Sequence, residues 1–170
     1  MAKNTILKWQ EVLRLHLQNL NPQKDRIAVV GIGNEMRGDD GAGVLVTRAL
    51  RARLHSSQIL LIDAGVAPEN CTGALRRFQP AFVLLIDSAQ MGETAGAVRL
   101  LDCKDVEGLS ASTHTLPLSL LADYLLRELG CAVLIVGIQP RHMRVGAPLS
   151  LAVQYVVDTL IKQLCALWEE

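Results

Sequence analysis

The spacing of apolar positions changes near residue 26. Over residues 4–20, Ile6, Trp9, Leu13, Leu17 and Leu20 recur at steps of three and four before Asn21-Pro22 breaks the pattern, which predicts an amphipathic N-terminal helix. From Ile27 onward, short unbroken apolar runs take over: IAVVGI at 27–32, QILLID at 58–63, AFVLLID at 81–87 and AVLIVGI at 132–138. Runs apolar at both alternating faces suit strands covered on both sides, as in a parallel sheet. Residues 41–54, 68–78 and 116–129 place apolar side chains at helical spacing and are long enough to cross between parallel strands, and Pro68 suits a first helical position. GAVRLL at 96–101 follows the third strand after only eight residues, too few for a helical crossover, so it is expected to pair antiparallel at an edge. Residues 149–167 predict a closing helix. The expected fold is a three-layer α/β domain: a mostly parallel, twisted five-stranded sheet with helices on both faces and one antiparallel edge strand. Residues 1–25 form an N-terminal helical extension whose linker is Asn21–Asp25, and residues 26–170 a single domain.

Composition narrows the partners. With 170 residues, half of them apolar and 4% aromatic, the chain has the length of one domain whose core must be built from Leu, Val, Ile and Ala. Lys plus Arg and Asp plus Glu are both 17, so no phosphate-neutralising surface is indicated and nucleic acid is not an expected partner. The longest apolar runs, Ala81–Ile86 and Cys131–Val136, fall far short of the roughly 20 residues of a bilayer-spanning helix. The N-terminus lacks an export signal, so a cytoplasmic monomer is expected. Cys71, Cys103, Cys131 and Cys165 include no CxxC pair and are expected to be mostly buried apolar thiols.

The candidate chemistry lies at strand ends. The first strand runs into Gly31-Ile-Gly-Asn-Glu-Met-Arg-Gly-Asp-Asp-Gly41, which resembles a dinucleotide loop only until Met36 stands where a third glycine belongs and Asp39 and Asp40 stand where a pyrophosphate would lie. QILLID ends in Asp63 and AFVLLID in Asp87. In an open parallel sheet the carboxyl ends of strands form the ligand edge, so these four acids are expected there, as a metal or acid/base cluster or, taken singly, as turn and N-cap residues. His114, in Ser112-Thr-His-Thr-Leu-Pro117 ahead of a helix, is expected at the same edge, where an imidazole ligates a metal or carries a proton. His16, His55 and His142 are read as structural or surface residues. Two carboxylates and one imidazole suit nickel, zinc or cobalt better than calcium. No GxSxG, HExxH or Walker loop is present.

Together GIGNEMRGDDGAG at 31–43, IDAGVAPEN at 62–70, LLIDSAQMG at 84–92, STHTLPLSLL at 112–121 and VGIQP at 136–140 resemble the maturation proteases of nickel-iron hydrogenases over roughly residues 27–165. The GDDGAG, APEN, THTLPL and GIQP forms resemble the subgroup serving formate-hydrogenlyase-type complexes; other members carry Glu where Asp40 stands. The resemblance implies an endopeptidase, of aspartyl type by its carboxylates, that removes a C-terminal extension from the hydrogenase large-subunit precursor once nickel is inserted. It implies that Asp40, Asp87 and His114 contact metal and carry catalysis, with Asp39 and Asp63 as supporting neighbours, and that nickel arrives with the substrate. The readings to be set against it are a metal-site chaperone that does not cut and a nucleotide-binding α/β module.

Overall fold

The computed structural model describes residues 9–21, 23–101 and 118–168. Four parallel strands, β1 (Ile27–Ile32), β2 (Ile59–Gly65), β3 (Phe82–Ser88) and β5 (Ala132–Ile138), and one antiparallel strand, β4 (Val98–Leu101), form a single sheet in the order β2-β1-β3-β5-β4. All seven residues of β3 are buried, which is why its run is apolar without alternation. The edge strand β4 turns Arg99 to solvent and buries Leu101. Leu100 stands opposite Val136 and Leu101 opposite Ile135, the antiparallel register expected of 96–101.

Helices α1 (Trp9–Gln18), α2 (Ala42–Arg51) and α5 (Leu151–Trp168) cover one face. There Leu13, Val46, Leu50, Val157, Leu160 and Leu164 pack on Val29, Leu84, Ile86 and Val136. Helices α3 (Thr72–Phe78) and α4 (Leu118–Leu129) cover the other, where Leu75, Leu121 and Leu125 meet Val30, Val83, Leu85 and Ile135. Each such side chain contributes about 1.5–3 kcal/mol on burial, so two filled layers account for a stable domain. The expected helix at 41–54 is a 3-10 turn at Gly38–Gly41 followed by α2, and that at 68–78 is a 3-10 turn opened by Pro68 followed by α3. Helix α3 stops at Gln79, whose φ of 50° is left-handed.

Connections from neighbouring strands diverge between β1 and β3. The chain leaves β1 through α2 toward one face, whereas the helix following β3 and β4 lies on the other. Such a switch point opens a crevice at the carboxyl ends of the two strands, and in α/β sheets that is where ligands bind.

Candidate active site

The turn leaving β1 folds back on itself. Gly33 has a φ of 134°, and a Cβ there would stand 1.8 Å from the Asp40 carbonyl oxygen. This glycine therefore serves the chain's own turn rather than the approach of a pyrophosphate. The Asn34 N–H donates to Asp40 Oδ2 at 3.2 Å and closes the turn.

Two contacts set the turn over β3. At Gly43 a Cβ would stand 2.1 Å from the Ile86 carbonyl oxygen, so the first turn of α2 lies against the strand one residue before Asp87. Ser88 Oγ donates to the Asp39 carbonyl at 2.5 Å. Asp40, 0% exposed in the 3-10 turn that follows β1, and Asp87, 2% exposed near the carboxyl end of β3, are thus both carried to the switch point. Asp87 shares its strand face with Val83 and Leu85, the face covered by α3 and α4. His114, expected to complete this pair, lies outside the described residues, as do Cys103 and the start of the helix expected at 116. Among the described residues no three His, Cys, Asp or Glu side chains gather to hold a metal ion.

Asp39 has a different task. Its Oδ1 accepts from the Ser150 N–H at 2.6 Å, and its Oδ2 from Arg141 N–H at 2.8 Å, His142 N–H at 3.2 Å and Ser150 Oγ at 2.8 Å. Burial by itself raises the pKa of this carboxyl, but the donors from Ser150, Arg141 and His142 together outweigh it and hold the group below its ordinary value. The cap expected of Asp39 is made to the loop before α5, not to its own helix, where no side-chain cap bond forms.

Asp63 lies two residues before the end of β2 and turns toward α2. Its Oδ2 lies 2.6 Å from Arg48 Nε, and Arg48 Nη1 lies 2.5 Å from Glu35 Oε2. The hydrogen bonds that Arg48 donates to Glu35 and Asp63 raise its pKa further. Asp63 therefore sits at the predicted edge, engaged by a cation that sequence reasoning did not single out.

Gln139, in the GIQP run, was also missed. Its Oε1 accepts from the backbone of Met91 at 2.7 Å and Glu93 at 3.3 Å, while its Nε2 donates to Gln90 at 2.9 Å and to the Pro140 carbonyl at 3.1 Å. One buried amide thereby holds the segment after Asp87 to the end of β5; a polar residue directly after an apolar strand was the available signal. Cys71, Cys131 and Cys165 are buried, and burial pushes the Cys71 thiol up to about 11, so it is a poor nucleophile.

Residues 44–167 match the model of a family described as hydrogenase maturation protease. The chain is 33% identical over 152 residues to a putative hydrogenase maturation protease of Methanocaldococcus jannaschii, covering 85% of this chain and 89% of that protein. It is 35% identical over 134 residues to the hydrogenase 3 maturation protease of Escherichia coli K12, covering 78% and 85%. The crystal structure of the maturation protease HycI from Thermococcus kodakarensis superimposes with a TM-score of 0.80 at 29% identity, over 85% of this chain and 93% of that one.

Proposed function

Starting from the fact that this chain belongs to the hydrogenase maturation protease family and is a peptidase, we propose that it cuts the C-terminal extension from a nickel-iron hydrogenase large-subunit precursor after nickel insertion, with Asp40, Asp87 and His114 meeting the nickel that the precursor carries. The observation that supports the reading is a pair of buried carboxylates, Asp40 in the turn after β1 and Asp87 near the end of the neighbouring strand β3. In this reading His114, which lies outside the described residues, is the third member of the set. The donor set of two carboxylates and an imidazole suits a nickel ion. Held by those residues, a nickel ion would supply polarisation of the scissile carbonyl or acidification of an attacking water. In the alternative the ion is a docking point alone and the carboxylates serve as general acid and base, an aspartyl-type chemistry; in both, cutting is conditional on correct metal loading. We place the reaction in the cytoplasm and the enzyme in a monomeric state; no helix among the described residues is long and apolar enough to cross a membrane.

Mass spectrometry of the precursor, nickel-loaded and nickel-free, before and after incubation tests this. Loss of the extension only from the loaded form is expected, and an unchanged mass would favour a chaperone. Asp87→Asn and His114→Ala should each lower processing at least about 100-fold with the fold retained. Full processing by both variants would overturn their assignment.

A further inference from the structure

Beside the acidic crevice lies a segment of opposite character. Between Glu128 and Asp158 the chain has no carboxylate, and its loop Arg141-His-Met-Arg-Val-Gly-Ala-Pro148 carries two arginines. Both are exposed and neither forms an ion pair among the described residues. The loop is fastened to the turn that carries Asp40. Beyond the bonds to Asp39 Oδ2, the Asp39 N–H donates to the His142 carbonyl at 3.1 Å and the Gly146 N–H to the Met36 carbonyl at 2.7 Å. The His142 ring lies against Gly38, with Nδ1 2.7 Å from where a Cβ would stand.

This joint brings a third arginine to the loop. Arg37, between Met36 and Gly38, has a buried Nε without a hydrogen-bond acceptor among the described residues. The nearest carboxylate along the chain, Glu35, is held by Arg48, and the oxygens of Asp39 accept from backbone and Ser150 rather than from guanidinium groups. The same rim exposes Met36 at 64% and Val145 at 79%. The half-buried Arg37 guanidinium is thus committed to no carboxylate among the described residues, and an arriving anion can pair with its accessible side. In a chain of zero net charge this local excess of cations is a patch, not a general basicity.

We propose that the rim formed by Arg37, Arg141 and Arg144 with Met36 and Val145 is the docking surface for an acidic, partly apolar segment of the large-subunit precursor. The inference rests on the precursor-processing reading and names how that substrate is gripped. Charge complementarity places the segment: its carboxylates are repelled from Asp40 and Asp87 and drawn to the three arginines. The chain is thereby held beside the crevice while the scissile bond lies over it. Because the loop is pinned at Asp39 and at Met36, the rim is ordered before the substrate arrives, which lowers the entropic cost of docking.

The test is anisotropy binding of the unprocessed precursor to the full chain, titrated with salt, alongside steady-state processing. Arg37→Gln/Arg141→Gln/Arg144→Gln should weaken binding roughly tenfold or more and flatten its salt dependence, raising KM with kcat little changed. Should the triple variant fold poorly, Arg141→Gln/Arg144→Gln, which alters exposed side chains only, carries the same test. Unchanged affinity and salt dependence in a folded variant overturn the docking surface. So does equally arginine-dependent binding of a DNA duplex, which would reassign the rim to phosphate. Wild-type protein that binds the precursor through the arginines yet never cuts it refutes the processing reading and leaves the docking surface standing. A variant that cuts with unaltered KM does the reverse.

Discussion

Asp39 and Asp40 are adjacent, identical in type and equally buried, yet their surroundings separate them. The four donors on Asp39 make it a clamp whose ionised form is the stabilised one. Asp39→Asn keeps the size but loses acceptor capacity, and it should cost about 2–3 kcal/mol in urea denaturation at pH 7. Because the folded pKa lies below the unfolded value of about 3.9, the carboxylate's contribution is complete above that pH and is lost as pH falls through the folded pKa. The gap between wild type and Asp39→Asn should therefore close on acidification, and a gap that widens below about pH 4 would refute the clamp. Sequence reasoning brings Asp39 to the correct edge and reads it as a cap, but its partners are out of sight. Hydrogen bonds to Arg141 and Ser150, 102 and 111 residues away, leave no periodic trace in the chain. The same holds for Arg48 and Asp63, whose pairing depends on how α2 lies beside β2.

Among the elements, the strands were the most legible, since burial on both faces writes an unbroken apolar run such as Phe82–Ile86. The antiparallel β4 followed from chain length alone, eight residues being too few to cross the sheet. Less visible was the break of residues 41–54 into a 3-10 turn and α2, because Gly41, Ala42 and Gly43 fit either geometry and only packing against β3 decides. That packing is also testable. Gly43→Ala puts a methyl group 2.1 Å from the Ile86 carbonyl, against backbone that has little freedom to yield. It should destabilise by about 1–3 kcal/mol and lower processing beyond the loss of folded protein, since α2 and the Asp40 turn must move off β3. A thermal melt with activity normalised to folded enzyme separates the two effects. Helix α1, the expected extension, buries Leu13 in the layer shared by α2 and α5, and Gln10 Nε2 reaches Gln163 Oε1 at 3.0 Å.

For the whole molecule, two apolar layers on one twisted sheet supply the cohesion, and the acidic crevice is carried by that frame rather than holding it together. Chelator should accordingly leave the thermal midpoint unchanged, measured by circular dichroism on the protein as purified; unfolding on chelation would reveal a structural metal. Class, sheet and edge could be read from the chain because each follows from a repeating pattern. The precise meeting of loops could not, since it depends on the assembled sheet. The bonds from Asp39 to Ser150 have one more consequence, in time rather than space. A ribosome adding about 5–20 residues per second needs roughly 5–20 s to pass from one to the other. Once Asp87 has been added, the nascent chain holds both carboxylates of the crevice while the segment that pins their turn has not yet been made. Seating of the crevice is in this way deferred until 111 residues after Asp39 has been added, and a polypeptide released early, before Ser150, carries the acids of the crevice without the clamp that seats them.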